Sequence, residues 1–345
     1  MDEDDAVLAS AYDWAVSFAS RFEKTIVITT RSGRFRPVRN LTVHAIGGGG
    51  IKQRILALVK LTRITRSLGI LKNDVIFHHM STKTLIWPGV LFWLRGIRQS
   101  VWYSHSRADC FLRLGLFFRP TIFTSTIKSF PVKSYCGEVF PVGHGVEIPT
   151  EIKKRTSNRE PRAQIIFVGR IARIKRIELL VESLQPRVIQ EGNGCLDILC
   201  VGPITDQSYR AELDQLAKNK SLNLEFCGAV PRKTVFKLMQ NENIIFSATP
   251  SSTDKAAIEA AMLGCFVITT EEETSELCGM NYVWQELGYR SSEGLPTIER
   301  QARLLLGIPH QEKERLRKIS ALHSQQRNSL TRLTTEIFEV HLAQE

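Results

Sequence analysis

The feature that most constrains this chain is its rhythm. Short runs rich in Ile, Val, Leu and Phe alternate with helical patterns from one end to the other. A strand that is apolar on both sides must be covered on both faces, and a parallel sheet wrapped by helices does that. In the first half, strands are expected at Thr25–Thr29, Leu41–Ile46, Asp74–His78, Ser100–Ser104 and Thr121–Thr124. Gln53–Leu68 and Leu85–Leu94 are the clearest helices between them. In the second half, Gln164–Val168, Leu196–Val201, Leu224–Cys227, Ile244–Ser247 and Phe266–Thr269 are each followed by a helical stretch. Two such sets indicate an α/β protein of two doubly wound domains. The length of 345 residues agrees, since a domain commonly takes about 100–200 residues.

The join is expected in Gly143-His144-Gly145-Val146-Glu147-Ile148-Pro149, after the strand-like Val139-Phe140-Pro141-Val142 and before the polar stretch Lys153–Arg162. Glycines and a proline beside a polar run are a hinge composition. The expected domains are 1–148 and 149–325, followed by a helical tail, 326–345. Gln311 to Glu345 reads as helix, with no Gly or Pro to interrupt it.

Charge narrows the partners. The 46 Lys+Arg against 35 Asp+Glu give +11. Residues 1–150 hold 20 of those cations against 10 carboxylates, and the remainder holds 26 against 25. The balance excludes an acidic binding module and raises nucleic acid, an anionic membrane surface or a phosphorylated substrate. No RNP, KH or zinc-finger pattern is present, so nucleic acid is not expected as a partner. The basic residues of 21–135, interleaved with Trp87, Trp93, Trp102 and Phe117, read either as an interfacial surface for anionic lipid or as solvated faces over core aromatics.

The longest apolar run, Thr84 to Leu94, contains Pro88 and is about half of the ~20 residues a membrane span needs. The start, Met1-Asp2-Glu3-Asp4-Asp5, is acidic where a signal peptide would be basic. A cytoplasmic location is expected, peripheral at most on the inner face of the membrane. Seven cysteines without a CxxC pair read as buried free thiols of a reducing compartment. Gly47–Gly50 lacks the spacing of a phosphate loop and reads as a flexible turn. Strand alternation should send the rings of His78 and His79 to opposite sides, one of them lining a cleft, and no further ligand stands nearby at metal spacing.

Two elements can carry chemistry. In Phe167-Val168-Gly169-Arg170-Ile171-Ala172-Arg173-Ile174-Lys175, a buried strand ends, glycine opens the turn, and two cations five residues apart follow. Ligands of open α/β sheets bind at that end of the strands. Arg170 offers a bidentate fork and Lys175 a point charge, which suits a diphosphate; the alternative is a pair of solvated surface cations. The second element runs from Ser251 to Gly264, where Thr253 or Asp254 can cap an Ala-rich helix. Such a helix start exposes N–H groups and a favourable dipole to phosphate. Glu259, about one and a half turns in, can accept hydrogen bonds from the vicinal hydroxyls of a ribose, or can be an ordinary surface glutamate.

Taken together, Phe167-Val168-Gly169-Arg170 with Lys175, Leu199-Cys200-Val201-Gly202, Phe226-Cys227-Gly228 and Ile258–Thr270 resemble the C-terminal domain of the retaining GT-B glycosyltransferases of family 4, the glycosyl transferases group 1. The likeness is specific between about residues 164 and 276. It extends to the late His323-Ser324 and Leu330-Thr331-Arg332-Leu333. It is fainter at Asp74–His78, Trp102-Tyr103-Ser104-His105 and Pro141–Glu147, which look like strand ends of the N-terminal domain of that family.

The resemblance implies two Rossmann-like domains facing a cleft, with the nucleotide-diphosphate sugar on the second and the acceptor on the first. It implies a retaining, hexosyl-type glycosyltransferase that needs no metal or other cofactor and acts on a glycan or lipid-linked acceptor in polysaccharide or glycolipid synthesis. Arg170 and Lys175 match the pair that neutralises the leaving diphosphate, and His105 matches a histidine that contacts the transferred sugar. Glu259 matches the carboxylate that holds the ribose. Gly169, Ser252, Thr253, Asp254 and Lys255 complete the expected donor site.

There are departures. Ser251 stands where many members carry a first glutamate, and Asp254-Lys255 looks like a subgroup in which backbone N–H groups of Ser252–Asp254 contact the donor sugar. Arg176 stands where glycine is usual. The chain opens on a helical pattern, Val7 to Phe22, so the first strand of the N-terminal sheet is expected to be missing. That absence keeps a second class in view, a GT-B-like sugar-nucleotide-binding protein without turnover.

Overall fold

A computed structural model describes residues 9–105, 107–149, 152, 164–185, 197–240, 244–250, 253–289 and 294–343. The chain divides into two compact units, residues 1–147 with 329–345, and residues 148–328.

The first unit contains α1 (Ala9–Ala19), β1 (Thr25–Thr29), β2 (Leu41–Ala45), α2 (Ile51–Ser67), β3 (Val75–His79), α3 (Thr82–Ile86), α4 (Gly89–Leu94), β4 (Arg98–Trp102), α5 (Cys110–Gly115), β5 (Thr121–Thr124) and β6 (Val139–Pro141). β1 pairs in parallel with β2, and β3-β4-β5-β6 form a separate parallel sheet in sequential order. The expectation of an absent first strand turns on the residues before Ala9, which lie outside the described residues.

The expected helix Leu85–Leu94 is two helices. Pro88 has no N–H to donate and pushes the residue before it out of the helical region. Trp87 is accordingly extended, at φ −140 and ψ 117. The cysteine expectation fails in part: Cys110, Cys136 and Cys227 are exposed, while Cys200, Cys265 and Cys278 are buried. Cys227 sits on an edge strand whose residues alternate between exposed and half-buried, so one face of it meets water.

The second unit contains β7 (Gln164–Val168), α6 (Ile177–Ser183), β8 (Asp197–Val201), α7 (Gln207–Asn219), β9 (Asn223–Gly228), α8 (Arg232–Gln240), β10 (Ile244–Ser247), α9 (Lys255–Met262), β11 (Phe266–Thr269), α10 (Glu272–Leu277), α11 (Met280–Glu286), α12 (Ile298–Gly307) and α13 (His310–Asn328). The sheet is parallel in the order β11-β10-β7-β8-β9. Its central residues Ile165, Ile166, Phe167, Ile245, Phe246, Val267 and Ile268 are buried, as strands covered on both faces require. The chain runs outward from β7 through β8 to β9, then returns to the other side of β7 at β10. The topological switch point therefore lies between β7 and β10, and the crevice outside their carboxyl ends is where such sheets bind ligands.

The tail is also two helices: α13 stops at Asn328 and α14 spans Leu330–Leu342. Two groups break the run. Ser329 is an extended N-cap whose side chain accepts from Arg332 N–H at 3.2 Å, and Leu330 N–H donates to the Val146 carbonyl at 3.0 Å. In the first unit, Leu330, Leu333 and Ile337 of α14 pack with Trp14, Trp102, Phe123 and Val142. Trp14 Nε1–H donates to the Gly145 carbonyl at 3.0 Å, and Ser17 and Thr334 hydroxyls meet at 2.8 Å.

Candidate functional site

The strand ends of the second unit approach through glycine. A Cβ added to Gly202, after β8, would fall 2.0 Å from the Gly169 carbonyl oxygen, so only glycine lets the two turns lie this close. Gly169 in turn lies against the Lys175 stem: its Cβ position is 3.9 Å from Lys175 Cε.

Lys175 and Asp254 bridge the switch point. Their side chains form an ion pair and are only 14% and 15% exposed. Lys175 Nζ also donates to Thr249 Oγ1 at 3.2 Å. The Thr249 hydroxyl in turn donates to Asp254 Oδ2 at 2.6 Å, and Ser247 donates to the same oxygen at 3.1 Å. The carboxylate is thus held by one cation and two hydroxyls from the end of β10. An ammonium has three donors, and two of the Lys175 donors have partners among the described residues, so a third can serve a ligand in the crevice.

Asp254 is the N-cap residue of α9, but its side chain makes no capping bond. The expected cap gives way because a partly buried carboxylate gains more from a cation than from a neutral N–H. Thr253 is buried, and its hydroxyl accepts from Thr274 Oγ1 at 3.2 Å. Among the described residues, no side chain therefore caps the start of α9.

Glu259, one turn into α9, is buried at 7% exposure. It accepts from Arg232 Nη2–H at 2.8 Å and lies 3.9 Å from Lys255 Nζ. Sequence reasoning passed over Arg232. Its signal was present: Pro231-Arg232 follows the β9 turn, and a cation in the first turn of a helix opposes the macrodipole. A cation in an unfavourable position points to a specific partner, here Glu259. Ser247 and Thr249 were likewise missed, because a hydroxyl near a strand end carries no distinguishing pattern.

The remaining cations of the first element divide. Arg173 is engaged by Glu212 and by Asp206 at 3.8 Å, and hydrogen bonding to Glu212 raises its pKa above the ordinary value. Arg170 and Arg176 are exposed at the mouth of the β7 turn. Arg176 adopts φ 50 and ψ 41, a left-handed conformation that glycine takes without strain, which accounts for glycine being usual there in the family this element resembles. Its side chain points to solvent.

Structure thus brings together Gly169, Lys175, Asp254, Lys255 and Glu259, with Arg170 next along the chain. Ser251 and Ser252 lie outside the described residues. His105 belongs to the first unit, beyond the end of β4, and is exposed. Its Nδ1 accepts from Arg107 N–H at 3.1 Å, which leaves Nε2 as the donor nitrogen of the ring. Close by, Ser104 and Ser125 hydroxyls meet at 2.6 Å. Of the two vicinal histidines, His78 is buried, 2.6 Å from Thr84 Oγ1 and 3.2 Å from Gln99 Oε1. His79 is exposed and packs on Trp14 with ring centroids 4.6 Å apart.

Residues 162–286 match the family model described as glycosyl transferases group 1. No curated protein sequence matches the chain. Among solved structures, HepE from Anabaena in complex with UDP has a TM-score of 0.66 at 14% identity, covering 100% of this chain and 98% of that one. The α,α-trehalose 6-phosphate synthase from Burkholderia multivorans gives 0.67 at 10%, covering 95% and 92%. A glycosyltransferase from Rickettsia africae gives 0.63 at 12%, covering 99% and 96%. At such identities the likeness is one of fold. With the parallel sheets and the β7–β10 switch point already in place, the chain has the GT-B fold, and residues 162–286 of its second unit are what matches the glycosyl transferases group 1 model.

Proposed function

We propose that this protein is a glycosyltransferase that moves a hexosyl residue from a nucleotide-diphosphate sugar to a glycan or lipid-linked acceptor, with retention of configuration and without a metal. The observation that carries the reading is Lys175: anchored by Asp254 and Thr249 at the switch point, with one donor unspent among the described residues. As the glycosidic bond breaks, negative charge grows on the leaving diphosphate, and a cation fixed beforehand stabilises that charge without reorganising. Arg170 supplies the second, forked cation. Glu259 takes the ribose hydroxyls, with Arg232 and Lys255 holding its carboxylate in place. The uncapped start of α9 offers N–H groups to the phosphates. His105 presents Nε2–H to the transferred sugar.

The acceptor is assigned to the first unit, where the positive charge lies. That charge favours an anionic or membrane-borne acceptor over nucleic acid, at the cytoplasmic face. No helix among the described residues is long and apolar enough to cross a membrane. The UDP bound to HepE makes uridine diphosphate the first nucleotide to try.

Calorimetry of the full chain with uridine, guanosine and adenosine diphosphates, paired with sugar release from the matching donors, tests the reading. Arg170→Ala and Lys175→Ala should each abolish turnover. Turnover that survives both overturns the assignment, and nucleotide binding without any turnover favours a sugar-nucleotide-binding protein.

A further inference from the structure

The first unit leaves an unusual amount of apolar side chain in water. Among the described residues sixteen large hydrophobics are exposed, thirteen in the first unit and three (Ile174, Tyr282 and Leu322) in the second. The described residues divide almost equally between the two units, so size does not explain the imbalance.

The excess centres on α2. Ala57, Leu61 and Thr65, four residues apart, form its buried stripe. Ile55, Leu56, Leu58 and Val59 are 57, 59, 48 and 47% exposed. At about 100° per residue, Ile55, Leu56 and Val59 lie roughly 120–160° from Leu61. Lys52, Arg63 and Arg66 occupy the same outward sector. A solvated helix face would carry cations with carboxylates or amides. This one carries branched aliphatics among cations, and no acidic residue occurs anywhere from Lys24 to Asn73, a stretch with eleven Lys and Arg.

The band continues off α2. Trp87, itself exposed, donates from Nε1 to Thr62 Oγ1 of α2 at 2.9 Å. Arg95, just past α4, donates to the Ile70 carbonyl at 2.7 Å and ties the end of α4 to the end of α2. On α4, Trp93 and Leu94 are exposed, and Trp93 packs on Phe118 at 5.6 Å, next to Phe117 at 85% exposure. Tryptophans beside cations and aliphatics are the composition of a surface that lies in a bilayer interface, with rings at headgroup depth and cations at lipid phosphates.

We propose that the outward face of α2, extended by Trp87 and Trp93, is a membrane-docking surface that inserts Ile55, Leu56 and Val59 into the headgroup–acyl boundary of anionic lipid. The inference deepens the assignment of a membrane-borne acceptor but does not depend on catalysis. Charge complementarity selects the occupant. A second copy of the chain would bring the same cations against one another, whereas a leaflet of anionic phospholipid neutralises them and receives the aliphatics. Docking would hold this unit at the surface where a lipid-linked acceptor is presented.

The test is co-sedimentation of the full chain with vesicles of phosphatidylcholine alone and with added phosphatidylglycerol, at low and high salt. Wild type should pellet with the anionic vesicles only. Ile55→Gln, Leu56→Gln and Val59→Gln together should abolish pelleting at high salt while leaving the thermal transition and nucleotide binding unchanged. Lys52→Gln, Arg63→Gln and Arg66→Gln together should weaken binding on the order of 100-fold, from about 1 kcal/mol per cation near an anionic surface. Equal pelleting of wild type and the aliphatic variant overturns insertion. So does a concentration-dependent dimer of wild type that the same variant turns into a monomer without any lipid binding, since the face would then cover a second copy. Lost turnover with intact vesicle binding would count against the proposed enzyme function alone.

Discussion

Replacing Lys175 by Ala removes the only cation paired with Asp254 among the described residues and leaves a carboxylate, 15% exposed, held by Ser247 and Thr249 hydroxyls alone. Breaking a buried pair by deleting one partner costs roughly 3–5 kcal/mol, because the remaining charge is desolvated without compensation. The residual exposure puts Lys175→Ala at the low end, about 3 kcal/mol. Asp254→Asn is milder, about 1 kcal/mol, because the amide keeps the hydroxyl bonds and the lysine stem can carry its ammonium to water. In the double variant no buried charge remains, so its cost should fall to about 1–2 kcal/mol where additivity would give about 4. The cycle thus carries a coupling of roughly 2–3 kcal/mol. Urea denaturation followed by circular dichroism measures the four stabilities, and calorimetry with a nucleoside diphosphate measures the four affinities. The second substitution should restore stability to Lys175→Ala without restoring nucleotide binding, which separates the lysine as a structural counter-charge from the lysine as a ligand. If Asp254→Asn leaves Lys175→Ala as unstable as before, the pair is not the desolvated unit argued here.

Arg232→Ala should weaken nucleotide binding about tenfold, near 1.4 kcal/mol, because among the described residues Glu259 keeps only Lys255 at 3.9 Å; Arg232→Lys should recover part of it, and unchanged affinity by calorimetry would remove Arg232 from the site. His78 is held down to about 4 by burial, against the hydrogen bond to Gln99 that opposes the shift. Its neutral ring therefore adds stability above the ordinary pKa of 6.5, lost as pH falls from there toward 4, roughly 3 kcal/mol over the window. His341, lowered by burial and by Arg98, acts in the same direction, and a flat stability profile between pH 7.5 and 4.5 in urea titrations would contradict both. Gly202→Ala should disrupt the β7 and β8 turns by 3 kcal/mol or more, at about the scale of overpacking against rigid backbone, read as a loss of both melting temperature and nucleotide binding; a wild-type melting curve would refute the close approach.

Much of the architecture was legible because short apolar runs rich in β-branched residues and bounded by turn residues mark buried parallel strands. Thr25–Thr29, Thr121–Thr124, Gln164–Val168, Ile244–Ser247 and Phe266–Thr269 begin and end where the apolar runs do. Where that reading failed, it misjudged local interruptions. Pro88 divides one expected helix. Ser329 divides another without any Gly or Pro, because the residue after it, Leu330, donates its N–H to the carbonyl of Val146, far away in the chain. Cys227 was misread for a similar reason, since apolar neighbours in sequence do not fix which side of an edge strand meets water.

By itself, the sequence determined the fold class, the glycine turns, and the short roster of cations and carboxylates from which a donor site could be assembled. It also determined that the excess positive charge lies in the first half. Only the tertiary structure decided which of those charges meet. Lys175 and Asp254 are 79 residues apart and Arg232 and Glu259 are 27 apart, and the pairs depend on β10 returning to the other side of β7 and on the placement of α8 and α9. Only the structure, too, showed that the aliphatics of α2 face outward. Helical periodicity says that residues share a face, but the choice between core and solvent belongs to whatever the rest of the chain packs against that face.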